Sequence, residues 1–320
     1  MGISGRGTER VVVGYDASAS AEVTVGWAAD EAERLGLPLD VVYAADYTGL
    51  VGGPISTSTW LPGVSIDEAR RVADTGVSLA RARRPGLEVT ARVKMSSPGT
   101  VLIQESERAA LVVVGTRGRG DLAGALLGSV ASRVAAHAHC PVVVVRGGDV
   151  VTAGPDRPVV VGVDDSPAAA DALRAAVAQA SAAGARLRVV CAWIPAPPES
   201  WERAYWLAVD AARDSEETAR AAAERVAAEA TLTAEGLAPE LRVETHVRGG
   251  DPATVILDAA GDAGLVVVGA RGRGSLAGLF LGSVSHGVVH RAQVPVLVVR
   301  ATAAGAAAPV GSHAISAAST

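Results

Sequence analysis

A doubly wound α/β fold, made twice in tandem, is what this sequence predicts, and three observations carry the prediction. First, 320 residues at roughly 150 per domain give about two domains. Second, residues 111–146 (LVVVGTRGRGDLAGALLGSVASRVAAHAHCPVVVVR) align without gaps on residues 265–300 (LVVVGARGRGSLAGLFLGSVSHGVVHRAQVPVLVVR), with 23 identities in 36 positions. Upstream, the run Val12 to Ser18 matches Val160 to Ser166, with Asp16 falling on Asp164. The offset is 148 residues there and 154 later, so the second copy has gained six between. A period this long is a tandem domain, since solenoid repeats are far shorter. Third, each copy alternates short β-branched runs with alanine-rich stretches, the pattern of a parallel sheet covered by helices on both faces.

The elements follow in order. Nearly continuous apolar runs predict strands near 10–15, 38–44, 87–94, 111–115 and 141–146, and again near 158–163, 186–192, 240–247, 265–269 and 295–300. Helices fit between them near 18–36, 66–84, 98–110 and 128–138, then near 166–184, 200–235, 251–263 and 282–292. Ser18 and Ser166 stand where N-caps belong. The copies are placed at 9–146 and 158–300, joined by a Gly/Pro-bearing linker at 147–157. The Ala/Gly/Ser-rich tail at 301–320 has no periodicity and reads as disordered.

Composition narrows the function. A net charge of −5 gives no electrostatic reason to expect nucleic acid or an anionic membrane. No run of about 20 apolar residues is present, and the opening residues lack the apolar stretch of a secretory signal. Cys140 and Cys191 form no close-spaced motif and read as structural thiols in a reducing cytoplasm. Of the 29 basic residues, Lys94 alone is lysine. It follows no glycine of a Walker A loop, the kinase strand motif is absent, and Schiff-base chemistry would hang on this one residue. A solvated position at a strand end is the better reading of Lys94.

The strongest local signal follows the fourth strand. Gly115-Thr-Arg117-Gly118 leads after nine residues to Gly128-Ser129, and Gly269-Ala-Arg271-Gly272 leads after nine to Gly282-Ser283. Glycines let backbone N–H groups approach an anion and adopt positive φ. Each Gly-Ser also opens a helix, whose N-terminus carries unpaired N–H groups and partial positive charge. The serine hydroxyl either donates to a phosphate oxygen or caps the helix. Seen twice at identical spacing, the pattern favours phosphate over a merely tight loop. Arg117, Arg119, Arg271 and Arg273 could neutralise it. A dinucleotide fingerprint is a poor match, because that motif follows a first strand. Asp16 and Asp164 end their first strands, where a carboxylate serves either a ribose hydroxyl or a turn.

With G-x₂-G-x₉-G-S after the fourth strand and G-x-D at the first, both copies resemble the ATP-binding branch of the universal stress protein family, in its tandem actinobacterial arrangement. The resemblance covers about 290 of the 320 residues. It implies five parallel strands per copy in the order 3-2-1-4-5, which sets the first and fourth strands side by side at a topological switch point. It further implies that Gly14, Tyr15 and Asp16 flank adenine and ribose, that Ala44 touches adenine, and that Gly115, Gly118, Gly128, Ser129 and Val130 cradle the phosphates. The second-copy equivalents are Gly162, Val163, Asp164, Ala192, Gly269, Gly272, Gly282, Ser283 and Val284. One ATP per copy is implied, with Mg²⁺ held mainly by the phosphates. The first copy departs from the family's G-x-P before the third helix: it reads Ser96-Ser-Pro98 where the second keeps Gly250-Asp-Pro252.

Catalytic motifs are missing. His286 and His290 share a helix face, but Gly287 stands where a zincin needs glutamate. No G-x-S-x-G elbow occurs, and no base for ATP hydrolysis is identifiable. The expectation is an ATP-binding, non-enzymatic regulator of stress or dormancy; the alternative is a slow ATPase or phosphotransferase at the same site. The fifth strands, which the family's order places at the sheet edge, predict pairing of the two copies within one chain about a local two-fold, with further homodimerisation open.

Overall fold

The structure, a computed structural model, describes residues 9–45, 66–116, 127–194, 204–272 and 281–300. The tail at 301–320 lies outside them, as do Arg117, Gly118, Arg119 and Arg273 of the glycine loops.

The first copy runs β1 (Val11–Gly14), α1 (Ala19–Leu35), β2 (Leu39–Ala44), α2 (Ile66–Arg83), β3 (Val89–Lys94), α3 (Pro98–Glu105), β4 (Leu111–Gly115), α4 (Ser129–His137) and β5 (Val142–Val145). The second runs β6 (Val159–Gly162), α5 (Pro167–Ala183), β7 (Leu187–Trp193), α6 (Ala204–Leu237), β8 (Val243–Gly249), α7 (Pro252–Ala259), β9 (Leu265–Gly269), α8 (Ser283–Arg291) and β10 (Val296–Val299). Every expected strand and helix is present. Ser18 and Ser166 cap α1 and α5, each hydroxyl accepting from a backbone N–H three residues on, at 3.2 Å. Gly36 and Gly184, at φ 65° and 59°, close the same helices in the left-handed conformation that glycine adopts without steric cost. Helix α3 stops five residues short of its expected end. The Ser106 hydroxyl donates to the Ile103 carbonyl and accepts from His139 N–H at 2.8 Å, so it satisfies groups that a longer helix would leave to its own ladder.

The strands form one ten-stranded sheet in the order β3-β2-β1-β4-β5-β10-β9-β6-β7-β8. Each half has the expected 3-2-1-4-5 order with parallel pairing, and β5 meets β10 antiparallel. Val143 pairs with Leu297, its own equivalent in the repeat, so a local two-fold passes between them. One apolar layer, including Val13, Leu39, Val143, Leu187 and Leu297, lies under α1, α2, α5 and α6; the other, including Val112, Val144, Val266 and Val298, lies under α3, α4, α7 and α8. Both layers cross from one copy into the other, which is why both faces of the strands are apolar.

Side chains extend the pairing beyond the backbone. Gln179 Nε2 donates to Glu31 Oε1 at 2.8 Å, and Arg34 donates to Gln179 Oε1 at 2.6 Å. Glu31 and Gln179 occupy the same repeat position, so the duplication has placed a carboxylate against an amide across the two-fold. Arg146 donates to the His290 carbonyl at 2.7 Å. The copies also invert one buried charge. Asp40 of β2 is fully buried beneath Arg10, at 2.9 Å, and Arg92. Its equivalent on β7 is Arg188, which pairs with Glu244 at 3.0 Å and Asp262 at 2.7 Å.

The linker is seated against both copies rather than free: Val150 lies beside Gly26 of α1, and Thr152 and Ala153 beside Gly264. Val150 and Ala153 pack on the core, and Gly154 and Arg157 exchange backbone hydrogen bonds at 3.0 Å. A Cβ on Gly264 would stand 2.3 Å from the Thr152 carbonyl oxygen and 2.4 Å from Ala153 Cα, both backbone atoms. Gly264→Ala should therefore lower stability by about 1–3 kcal/mol, the usual cost of overpacking. Gly154→Ala, with open space around it, should leave it unchanged. Equal urea midpoints for the two variants would show that the linker does not sit as described.

Candidate functional site

The order 3-2-1-4-5 leaves the carboxyl ends of β1 and β4, and of β6 and β9, adjacent in each copy, the position where open α/β sheets bind ligands. In the second copy this position opens into a cleft of about 650 Å³, within the range of small-molecule sites. Its floor is the end of β6, where Gly162 leaves room for Ile256: a Cβ there would stand 2.4 Å from Ile256 Cδ1. Gly14 bears the same relation to Leu102 in the first copy, at 3.0 Å.

Asp164 follows β6 and faces two ways. Its Oδ1 accepts from Ser166 N–H at 3.0 Å and from the Ser166 hydroxyl, tying down the start of α5. Its Oδ2 lies 2.8 Å from where a Cβ on Gly272 would stand, so the carboxylate abuts the glycine loop. Asp16 repeats the first relation, accepting from Ser18 N–H at 3.0 Å and Oγ at 2.6 Å. The turn role and the cleft position, alternatives in sequence, are thus combined in Asp164.

Opposite stands the N-terminus of α8. Gly282 N–H donates to the Ala270 carbonyl at 2.9 Å, and the first-copy Gly128 to the Thr116 carbonyl at 2.7 Å, so the loop closes back on its strand before the helix begins. The N-caps are the glycines, not the serines: Ser129 and Ser283 open the helices and make no capping bond. That corrects the capping alternative and leaves the Ser283 hydroxyl among the groups lining the cleft. A second correction concerns why the glycines are there. Gly128 and Gly282 have φ of −63° and −61°, and among the described residues the left-handed glycines are Gly36, Gly148, Gly184 and Gly250. The described loop glycines serve close approach instead. A Cβ on Gly269 would come within 2.9 Å of the Ala168 carbonyl oxygen.

Gly162, Val163, Asp164, Ala192, Gly269, Arg271, Gly272, Gly282, Ser283 and Val284 all line this one cleft. In the first copy, Gly14, Asp16, Ala44, Gly115, Gly128, Ser129 and Val130 occupy the equivalent element ends. Tyr15 turns its ring into the core, where a Cβ on Gly76 would meet it at 2.9 Å. Arg117 and Gly118 lie outside the described residues. Asp251 caps α7 by accepting from Thr254 N–H at 2.9 Å, whereas Ser97 makes no such bond at α3. The first copy thus lacks, at the residue between Ser96 and Pro98, the cap that Asp251 supplies in the second.

Sequence reasoning missed two contributors. Ser285, buried, donates to the carbonyls of Ala270 at 3.1 Å and Gly282 at 3.0 Å and so fixes the loop to the helix. Arg300, at the end of β10, has a buried Nε with no hydrogen-bond partner. Burial first, and then the charge of Arg271, push its guanidinium below the ordinary value. Two cations with one polar atom unmet are the electrostatics of a place that takes an anion. Only the repeated Val-Arg at 145–146 and 299–300 hinted at this in sequence.

Other candidates lead elsewhere. Lys94 ends β3, half exposed and 3.6 Å from Glu105. The rings of His286 and His290 lie 4.2 Å apart, and among the described residues no three metal-ligating side chains gather. Burial pushes the Cys140 thiol up to about 12, which suppresses the thiolate. No described helix is long and apolar enough to cross a membrane.

Fold and cleft together define a tandem doubly wound α/β protein with a cleft at the switch point of the second copy. The chain belongs to the universal stress protein family: the family model matches residues 7–146 and again 157–300. It is 36% identical over 297 residues to universal stress protein Rv2005c of Mycobacterium tuberculosis, spanning 91% of this chain and 96% of that one. Against universal stress protein Rv2623 of the same organism the figures are 34% over 309 residues, 93% and 98%. A crystal structure of a universal stress protein from Archaeoglobus fulgidus shares the fold, at a TM-score of 0.64 and 22% identity, covering 92% of this chain and all of that one.

Proposed function

We propose that each copy holds one adenine nucleotide, ATP with its Mg²⁺ carried mainly by the phosphates, and that occupancy of the two sites sets the protein's regulatory state in a stress or dormancy response. The observation that supports this most is the composition of the second cleft. One side offers the α8 N-terminus, the Gly282-Ser283 step and Arg271 backed by Arg300, a set suited to phosphate. The other offers small apolar walls at Ala192, Ala219 and Ala223, a set suited to a base. Asp164 lies between, where a ribose would fall.

The same cleft gives little purchase for hydrolysis. Asp164 Oδ1 is committed to Ser166, and no other described carboxylate or histidine lines the cleft to orient water. Two measurements test the reading. Mass spectrometry of ligand released from the purified protein should find an adenine nucleotide. Turnover should be negligible in the wild type; multiple turnovers abolished by Asp16→Ala with Asp164→Ala would instead establish the slow ATPase.

A further inference from the structure

The two copies differ at the end of their second strand. In the second copy β7 runs on to Trp193, which pairs in register with Gly249 of β8. A Cβ on Gly249 would stand 2.8 Å from Trp193 Cζ2 and 3.0 Å from Cη2, so the six-membered ring rests on the glycine backbone. The next residue, Gly250, has φ 140° and donates its N–H to the Trp193 carbonyl at 3.0 Å. The first copy has Ala45, Met95 and Ser96 at these three positions. Ala45 is buried, its N–H donating to the Lys94 carbonyl at 2.9 Å, and Met95 is exposed. The second copy has therefore exchanged a small residue beside a large one for a large residue beside glycine.

The indole does not vanish into the core. Trp193 is only partly buried and lines the cleft, together with Asp164, Ala192, Ala219, Ala223 and Val226. The alanines keep the α6 wall thin beside it. Glycine beneath the ring removes the alternative of a side chain holding it off, so the ring is placed before any ligand arrives and little rotamer entropy remains to be lost on binding. We propose that Trp193 is the base platform of the second site, stacking the purine of a bound nucleotide, and that the first site, with Ala45 in this place, has no aromatic partner at this position. The proposal rests on the nucleotide reading and adds to it that the sites are unequal: the chain binds two nucleotides in two affinity classes, the tighter in the second copy.

Calorimetric titration with ATP and, separately, with inorganic triphosphate tests this on the wild type, Trp193→Leu, Trp193→Phe and Gly249→Ala. Aromatic–base stacking predicts that Trp193→Leu weakens one class for ATP by roughly tenfold and leaves the other in place. Trp193→Phe should retain most of the affinity, and triphosphate should bind all four proteins alike. Gly249→Ala keeps the indole but shifts it, so it should weaken the same class and serves where the leucine variant does not fold. Unchanged ATP affinities in both Trp193→Leu and Gly249→Ala would overturn the platform while leaving nucleotide binding intact. A loss for triphosphate parallel to that for ATP would overturn it too, because the change would then lie in the cleft and not in the base. No ATP binding by the wild type would defeat the nucleotide reading itself, and this inference with it.

Discussion

Val144→Arg combined with Val298→Arg is expected to part the two copies into separated lobes. Both valines are about 98% or more buried, and the strands that carry them meet in the register Val144 to Val296 and Val142 to Val298. Their side chains enter the apolar layer under α4 and α8. An arginine there would enter an apolar layer, and burying an unpaired charge costs several kcal/mol per ion. The antiparallel β5–β10 seam is the place where strain can be released without breaking either parallel half. Small-angle scattering should change from one compact particle to an extended, two-lobed one, and protease should cut within residues 147–157. Gln179→Glu is the gentler companion, for use if the double variant fails to fold. It replaces the donor to Glu31 with a second carboxylate at about the same 2.8 Å separation, beside Arg34. A wild type already extended in solution, or a double variant as compact as the wild type, would defeat the paired arrangement and restore two beads on a linker.

What the sequence disclosed and what it withheld divide along a physical line. Periodicity and capping are local, so strands such as 265–269 and helices such as that ending at Gly184 were legible to within a few residues. The repeat made the cleft legible as well, since a loop seen twice at one spacing points to its own use. Contacts between distant elements were not. Arg300 and Arg271 are 29 positions apart and meet only because β9 and β10 are neighbours. Trp193 reads as an ordinary strand-end aromatic until Gly249 is found beneath it. Conformation was misjudged at the loop: its described glycines are needed for space at Ala168 and Asp164, with φ playing no part. Helix α3 was overrun because the competing donor to its last turn, the Ser106 hydroxyl, also accepts from His139 N–H, 33 residues away.

Gly272→Asp is expected to abolish ligand binding in the second copy while leaving the first untouched. Gly272 lies in the cleft lining, and its Cβ position is 2.8 Å from Asp164 Oδ2, closer than real side chains come. Any substitution must therefore displace either the loop or the Asp164 carboxylate. Aspartate adds a second effect, a negative charge beside Asp164 and facing the phosphates of the proposed ligand. One like charge at ~4 Å costs about 4 kcal/mol at intermediate dielectric, or close to a thousandfold in affinity. Gly272→Ala separates the two effects, since it brings the crowding without the charge and should weaken binding far less than aspartate does. Raising the salt concentration should recover part of the aspartate loss and none of the alanine loss, because screening acts on charge alone. Urea midpoints must accompany the titrations, for Asp164 also holds the start of α5 through Ser166. Calorimetry should then count one site where the wild type shows two. A stoichiometry of two at undiminished affinity in the aspartate variant would remove the glycine loop from the site.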